Sequence, residues 1–157
     1  MADDSCYAVV LISDDAEWRA VRSHYPRVEM RHSPYGEIFS IELSGKQATF
    51  FQGGWGKIAA AASAQYAIDR FAPKLLLNLG TCGGFVGGVE LGEVILVEET
   101  LVYDIIEQMN NAQKAVEHYM TRLNLAWLES KKPLPLPVHR GRLVSADRDL
   151  LPAVSAP

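Results

Sequence analysis

The chain has 157 residues, of which 48% are hydrophobic and 22% are charged, and its formal net charge is −4. These values are ordinary for a globular protein and exclude a disordered tail, a collagen-like repeat and a coiled coil. The Lys and Arg residues are scattered, and an acidic surface without a basic stripe repels the backbone of a nucleic acid. We therefore expect no nucleic-acid partner.

The first residues of the chain and its two cysteines indicate in which cellular compartment the protein is expected. The first four residues include two aspartates and lack the positive n-region of a secretory leader. The apolar run over 7–12 is far shorter than the roughly 20 residues that a membrane helix needs. Cys6 and Cys82 are the only cysteines and form no disulfide framework. We expect one cytoplasmic domain over residues 1–157, with no membrane partner.

The first two elements are a strand and a helix. Residues 7–12 are rich in β-branched side chains and are followed by Ser13 and two aspartates. This pattern predicts a buried strand that ends in a turn or a helix cap. A helix is expected over about 15–25, and Pro26 ends it. The large apolar side chains of this helix share one face: Trp18, Val21 and Tyr25.

A hairpin and a second helix follow. Successive side chains of residues 37–43 fall alternately into two sets, as expected for the two faces of a strand. A second strand pattern covers 47–52. Gly45 lies between the two segments, which predicts a hairpin. The next element, over about 57–72, is an Ala-rich helix that Pro73 ends. The side chains expected on its inner face fall at helical spacing: Ala61, Ala64, Ile68 and Phe71.

The remaining elements complete an alternating pattern. The apolar run over 75–79 shows no alternation, which predicts a strand buried on both faces, as in a parallel sheet covered by helices. Further expected elements are a strand over 93–97, a helix over about 111–130, an extended connector over 131–137 and a strand over 138–145. Because strands and helices interleave throughout, the fold class is α/β.

Nine of the 12 glycines lie between Gly53 and Gly92, in two clusters that each follow an apolar strand. Crowding of this kind indicates turns with positive φ or backbone that approaches a ligand closely. In open α/β sheets, ligands bind at the carboxyl ends of the strands, which is where both clusters fall. Two tight turns without a ligand are the alternative.

More specific motifs are incomplete. Gly54, Gly56 and Ala59 match the dinucleotide-binding fingerprint, but the following strand ends at Asn78 instead of the acid that would bind the ribose. The P-loop pattern also fails. The four histidines show no metal-ligand spacing, so no metal is expected. No cofactor is expected either. Cys82 without a placed histidine is more often a small apolar residue than a nucleophile.

Glu17 is a candidate for acid–base chemistry, because it follows the first strand and lies near the start of the first helix. A carboxylate at the ligand edge of the sheet can act as a general base on water. The alternative is an acid that is solvated or that caps the helix, where the helix dipole favours negative charge. Spacing alone favours this alternative.

Three blocks of sequence occur in a distinctive order and spacing: residues 53–61, 77–85 and 91–97. They read GGWGKIAAA, LNLGTCGGF and LGEVILV. With these blocks the chain resembles the purine nucleoside phosphorylase/uridine phosphorylase superfamily, most closely the branch of the methylthioadenosine/S-adenosylhomocysteine nucleosidases. Segments 13–17 and 140–147 are also similar to that family, so the resemblance covers most of the chain.

The resemblance implies a three-layer α/β/α sandwich with a central mixed sheet, and often a homodimer in this branch. It also implies a small-molecule nucleoside as ligand and hydrolysis of the N-glycosidic bond of a purine nucleoside such as methylthioadenosine or S-adenosylhomocysteine. The transition state resembles a ribosyl oxocarbenium ion. A preorganised site therefore stabilises positive charge on the sugar and negative charge on the departing base.

The resemblance also assigns site residues by position. Glu17 corresponds to the acid that holds and activates the attacking water. The residues that correspond to positions around the water, the sugar and the base are Ser13, Trp55, Thr81, Cys82, Gly83, Asp149 and Leu150. Asp149 stands where the nucleosidases usually have an aromatic residue that stacks on adenine, so that stacking surface is lost.

Water is favoured over phosphate as the nucleophile. The phosphorylase branches hold the phosphate dianion with arginines, one of which stands where this chain has Asn78. Asp14, Asp15 and Glu17 follow the first strand and would repel phosphate. A nucleoside phosphorylase and a catalytically silent nucleoside-binding or structural relative are the alternatives.

The resemblance ends at about Asp147, whereas family members continue for another large portion. That portion carries a Met-Glu motif that grips the ribose hydroxyls and an Asp that protonates the leaving base. The sequence therefore predicts a C-terminally truncated domain with weak or absent hydrolysis, since loss of a general acid costs about 10²–10⁴-fold in rate.

Overall fold

The structure is a computed structural model that describes residues 5–105, 112–128, 134 and 136–147. The chain divides into two compact units, Met1–Cys82 and Gly83–Pro157. The elements of the first unit, in chain order, are β1 (Ala8–Ile12), α1 (Asp15–His24), β2 (Arg31–His32), β3 (Glu37–Leu43), β4 (Lys46–Gln52), α2 (Lys57–Phe71) and β5 (Leu75–Asn78). Among the described residues, no helix is both long and apolar enough to cross a membrane.

Strand β1 lies inside a five-stranded mixed sheet with the order β2-β3-β4-β1-β5. It pairs in parallel with β4 on one side and with β5 on the other. Strand β3 pairs antiparallel with both β2 and β4. All residues of β1 are buried, because its pleat sends alternate side chains to opposite faces and both faces are covered. The predicted buried first strand is therefore confirmed.

Two clusters of buried side chains cover the two faces of this sheet. The cluster on the side of α1 consists of Ala8, Val10, Ile12, Trp18, Phe39, Ala48 and Phe50. Val21 and Tyr25 also pack against it, so the predicted inner face of the first helix is confirmed. The cluster on the side of α2 consists of Cys6, Val9, Leu11, Ile38, Phe51, Ala67 and Phe71.

The predicted hairpin is confirmed as β3 and β4. Its turn is formed by Ser44 and Gly45, with φ values of 51° and 76°. Two consecutive positive φ values are what a two-residue type I′ turn requires, and this turn type matches the twist of the strands that it joins.

The face that the Ala-rich helix α2 buries agrees only in part with the predicted one: Phe71 is buried and Ala64 packs against the core as predicted. Its buried residues are Ser63, Ala67 and Phe71, whereas Ala61 is exposed and Ile68 is 41% exposed. Nearly uniform small side chains give only a weak helical periodicity. The spacing of alanines therefore does not determine which face packs on the sheet.

Strand β5 is less buried than its apolar sequence predicts. Its residues alternate between half-buried and exposed, and Leu76 is 39% exposed. Within the described part of the chain, β5 is the last strand of its sheet, and an edge strand has one side that no strand covers. The predicted burial on both faces is wrong, but the predicted parallel pairing is confirmed.

The second unit has its own smaller sheet. Its elements are β6 (Ile95–Val102), α3 (Ala112–His118), β7 (Met120–Arg122), a 3-10 helix (Ala126–Leu128) and β8 (His139–Ser145). In the order β7-β6-β8, β7 is antiparallel and β8 is parallel to β6. The strands predicted over 93–97 and 138–145 are confirmed, the first with a later start and a greater length. Both sheets are mixed, and strands and helices alternate along the chain, as the predicted α/β class requires.

Of the helix predicted over about 111–130, only Ala112–His118 is confirmed. Helix α3 ends at His118, and the chain then forms β7, in which Met120 pairs with Leu101 of β6. Strand preference depends on the partner that a neighbouring strand offers, so this pairing overrides the helical spacing of the apolar side chains. Residues 129–130 and most of the predicted connector lie outside the described residues.

Charged side chains link the three strands of the second sheet. Oε2 of Glu99 accepts a hydrogen bond from Arg142 at 2.5 Å, and Oε1 accepts one from Arg122 at 3.4 Å. The hydrogen bond from Arg142 is the largest cause that holds the pKa of the Glu99 carboxyl below its usual value. Protonation of Glu99 therefore weakens the contacts of β6 with both of its neighbours.

We expect Glu99→Gln to lower the melting temperature slightly at about pH 7 and to have a progressively smaller effect as the pH falls below the usual pKa of a glutamate. A carboxyl with a lowered pKa stabilises the folded state above its unfolded pKa, and this stabilisation is lost as the pH falls through the folded pKa. Thermal unfolding across this pH range measures the difference. Glu42→Gln, at an exposed position of β3, is the control. A difference that does not change with pH would contradict the prediction.

Candidate functional site

Three parallel strands bring their carboxyl ends to one edge of the first sheet. Ser13 follows β1, Gly53 follows β4 and Leu79 follows β5. The N–H groups of Gly53 and Leu79 donate to β1, to the carbonyls of Ile12 at 2.8 Å and Leu11 at 2.9 Å. The first glycine-rich segment, which starts at Gly53, and the second, which starts at Gly80, therefore both begin beside the end of β1. This is the edge at which the sequence predicts a ligand.

The carboxylate of Glu17 reaches this edge from the first turn of α1. Its Oε1 accepts hydrogen bonds from the backbone N–H of Thr81 at 2.5 Å and from the Thr81 hydroxyl at 2.7 Å. Glu17 is half-buried, so it is not a fully solvated acid. Nor does it cap α1, because the side chain of Asp14 accepts from the N–H groups of Ala16 and Glu17.

Gly80 leaves the space into which the carboxylate fits. A Cβ on this glycine would lie 3.0 Å from Oε2 and 3.1 Å from Oε1 of Glu17. Separations this short are tighter than ordinary van der Waals contact, so the backbone of the second glycine-rich segment packs directly on the carboxylate.

We expect Gly80→Ala to displace the Glu17 carboxylate and to weaken its hydrogen bonds with Thr81. The added methyl group forces the carboxylate to give way by a few tenths of an ångström. Amide hydrogen exchange of Thr81, followed by NMR, should become faster. The control is Gly141→Ala, whose new Cβ would lie 3.7 Å from Ile95, an ordinary contact. Thr81 exchange that is equally slow in both variants would contradict the prediction.

The first glycine-rich segment folds back on the start of α2. The N–H of Gly54 donates to Oγ of Ser63 at 3.0 Å, and this hydroxyl donates to the carbonyl of Ala60 at 3.1 Å. A Cβ on Gly54 would lie 2.5 Å from Cβ of Ala59, so the close packing is by itself enough to require glycine at this position. Gly56 has a φ of 82°, a conformation that favours glycine. Tight local geometry therefore accounts for these two glycines.

The structure brings some predicted site residues together. Glu17 and Thr81 are in direct contact. Ser13 is half-buried, and its Oγ lies 3.8 Å from the position of a Cβ on Gly53. These residues lie where β1, β4 and β5 end.

Other predicted site residues are more exposed or lie elsewhere. Trp55 is 85% exposed, and Cys82 is an exposed free thiol. Gly83 begins the second unit, and no described atom lies within 4 Å of a Cβ built on it. Asp149 and Leu150 lie outside the described residues. The assignment of these five residues to the site stays a prediction.

Sequence analysis misses two side chains that organise this edge. Ser63 is 2% exposed and holds the first glycine-rich segment; the one available signal is a hydroxyl residue in a helix otherwise rich in alanine. Gln52 bonds to the first turn of α1, and no sequence signal marks it. In the part of the chain that the structure describes, no group of three or more His, Cys, Asp or Glu side chains is placed to hold a metal ion.

A relative with an assigned activity matches the chain in sequence. The 5'-methylthioadenosine/S-adenosylhomocysteine nucleosidase of Maridesulfovibrio salexigens is 28% identical over an alignment of 116 residues, and the match covers 67% of this chain and 49% of that protein. The chain thus spans about half the length of this curated relative.

Solved nucleosidase structures have the same fold. The enzyme from Neisseria meningitidis, in complex with methylthio-immucillin-A, matches with a TM-score of 0.71 and 22% identity over 90% of this chain and 65% of that chain. The Campylobacter jejuni enzyme matches with a TM-score of 0.72 and 16% identity over 93% and 67% of the two chains. The predicted phosphorylase-like α/β fold is therefore confirmed.

The family assignment rests on a match that extends over most of the chain. The sequence profile of the Phosphorylase superfamily matches residues 7–148. The expectation of a single domain over residues 1–157 stays a prediction. By this match and by its fold, the chain belongs to the Phosphorylase superfamily.

Proposed function

We propose that the protein hydrolyses the N-glycosidic bond of a purine nucleoside such as 5'-methylthioadenosine or S-adenosylhomocysteine. The observation that carries this proposal is the position of the Glu17 carboxylate at the carboxyl edge of three parallel strands, held there by Thr81. The nucleosidase names of the relative and of the two solved structures support the substrate class.

The geometry of Glu17 suits a general base. Thr81 donates twice to Oε1 and orients the carboxyl group, whereas none of the described residues donates a hydrogen bond to Oε2. Oε2 can therefore accept a hydrogen bond from water and take its proton as the water oxygen attacks C1′ of the ribose. The bond from C1′ to the base nitrogen breaks, its electron pair leaves with the base, and the base then takes a proton from solvent water.

The charges at this edge favour hydrolysis over phosphorolysis. Asp14, Asp15 and Glu17 lie at the start of α1, where carboxylates attract the positive charge that develops on the ribose and repel a phosphate dianion. Asn78, at the end of β5, is neutral. We therefore propose water as the nucleophile, and a phosphorylase would need an anion site that these residues do not form.

A second copy of the chain is the proposed protein partner. Trp55, just before α2, and Ile58, in the first turn of α2, are 85% and 86% exposed. Large exposed apolar side chains close together are typical of interaction surfaces. Sedimentation that shows only monomer at high concentration would contradict a homodimer. Location in the cytoplasm stays a prediction.

Adenine release from methylthioadenosine by the purified chain tests the proposed activity. We expect slow adenine release, in line with the weak hydrolysis that the sequence predicts, seen as a change in ultraviolet absorbance and an adenine peak in chromatography at a rate independent of inorganic phosphate. A rate that rises with phosphate would indicate a phosphorylase. A thermal shift with adenine but without turnover would indicate a nucleoside-binding relative. If the chain shows neither turnover nor a thermal shift, the proposal is overturned.

A further inference from the structure

The side-chain amide of Gln52 connects three parts of the first unit. Gln52 is the last residue of β4 and directly precedes the first glycine-rich segment. Its Oε1 accepts a hydrogen bond from the backbone N–H of Glu37 at 3.1 Å, and its Nε2 donates to Oδ1 of Asp15 at 2.8 Å. A Cβ on Gly36 would lie 2.7 Å from Oε1 of Gln52. The glycine therefore lets the amide lie against the hairpin.

Glu37 provides a second link between the hairpin and α1. Its Oε2 accepts hydrogen bonds from Nε1 of Trp18 at 2.7 Å and from Nη1 of Arg22 at 3.0 Å. Trp18 is 3% exposed, and a hydrogen bond to a carboxylate in such surroundings contributes more than one in water. The two links hold α1 on both sides of Glu17, at Asp15 before it and at Trp18 after it.

We propose that Gln52 is a positioning residue that sets the direction of the Glu17 carboxylate by holding the first turn of α1 on the hairpin. Gln52 acts through Asp15, which lies on the same helical turn as Glu17. Backbone hydrogen bonds make a helical turn move as a unit, so a shift at Asp15 carries Glu17 with it. The expected effect on catalysis rests on the proposed function. The position of the Glu17 carboxylate can be measured without turnover, because it determines the hydrogen bond to the Thr81 amide.

Gln52→Glu tests this role with almost no change in side-chain size. The new carboxylate can still accept from the N–H of Glu37, but it presents an oxygen instead of a donor to Asp15. Two carboxylates at hydrogen-bond distance repel each other, so the first turn of α1 should move. Adding Asp15→Asn reverses the direction of the hydrogen bond, because the new amide donates to the new carboxylate.

In Gln52→Glu we expect amide exchange of Thr81 to become about tenfold faster and kcat for adenine release to fall by about tenfold or more, with a smaller change in KM. A misplacement of about 1 Å in a catalytic group costs up to about 10²-fold. The double variant Asp15→Asn/Gln52→Glu should recover most of both losses. A general loss of structure would not be repaired by reversing one hydrogen bond.

Gln65→Glu is the matched control, because Nε2 of Gln65 donates to Oδ1 of Asp69 at 2.9 Å on the exposed side of α2. The same repulsion is thus created away from Glu17, and Thr81 exchange and kcat should stay at wild-type levels. Unchanged Thr81 exchange in Gln52→Glu, or no recovery in the double variant, would overturn the role of Gln52. Absence of turnover in the wild type would contradict only the proposed function, since Thr81 exchange still decides the positioning role.

Discussion

Glu17→Gln is expected to lower the rate of adenine release from methylthioadenosine by about 10²–10⁴-fold, the usual range for loss of general acid–base catalysis. The amide has nearly the same shape as the carboxylate, and its oxygen can still accept both hydrogen bonds from Thr81. The fold and the loop contact are therefore kept. What is lost is the ability to take a proton from water. Initial rates, measured by the change in ultraviolet absorbance, give the difference.

Two further measurements separate a catalytic loss from a structural one. Glu29→Gln makes the same chemical change at an exposed residue and should retain the wild-type rate. Slow amide exchange of Thr81 in Glu17→Gln would show that the loop contact persists. A wild-type rate in Glu17→Gln would contradict the role of Glu17 as the base.

Local sequence signals are sufficient where they agree with the tertiary structure. The β-branched residues of β1 favour a strand, and the central place of β1 in the sheet buries them on both faces. Ser44 and Gly45 supply the two positive φ values of the hairpin turn. The apolar face of α1 contains Trp18, which packs on the sheet as its spacing predicts. When local preference and packing indicate the same structure, a single sequence predicts it well.

The predictions fail where the local signal is weak or where a distant partner decides. Helix α2 has alanine on most sides, so its pattern does not distinguish Ser63 and Ala67, which are buried, from Ala61, which is exposed. In β7, Met120 forms a strand because it pairs with Leu101. That pairing depends on a segment earlier in the chain, and no helical spacing within 111–130 reveals it.

The location of the candidate site could be predicted, but its hydrogen bonds could not. The rule that ligands bind at the carboxyl ends of parallel strands places Glu17 and Thr81 at one edge. Their contact joins residues 64 positions apart, and the bond from Gln52 to Asp15 joins residues 37 positions apart. No periodicity encodes such contacts. Gln52 also resembles an ordinary surface glutamine in sequence, so its link to α1 becomes visible only in the fold.

The largest expected effect on stability comes from Phe39→Ala, which should lower the free energy of unfolding by about 3–5 kcal/mol. Phe39 is 0% exposed, and its ring stacks on Phe50 with centroids 4.8 Å apart. The rings of Trp18 and Tyr25 lie 5.5 Å and 5.6 Å away. The substitution leaves a cavity between the sheet and α1. Urea denaturation followed by fluorescence and circular dichroism measures the loss.

Phe85→Ala is the control for this substitution, because Phe85 is 71% exposed. The same atoms are removed from a site with little packing, so the free energy of unfolding should change by no more than about 0.5 kcal/mol. A loss of less than about 1 kcal/mol in Phe39→Ala would show that the cavity collapses, and it would contradict the rigid packing of this cluster.

Phe51→Ala separates stability from support of the site. Phe51 is also 0% exposed, but it packs on the opposite face of the sheet, against α2. Both core variants should lose similar stability, whereas only Phe39→Ala removes the contact beneath Trp18 and hence beneath the turn that carries Glu17. After correction for global stability, Thr81 exchange should increase more in Phe39→Ala than in Phe51→Ala. Equal increases would mean that the α1 side of the core does not support Glu17 selectively.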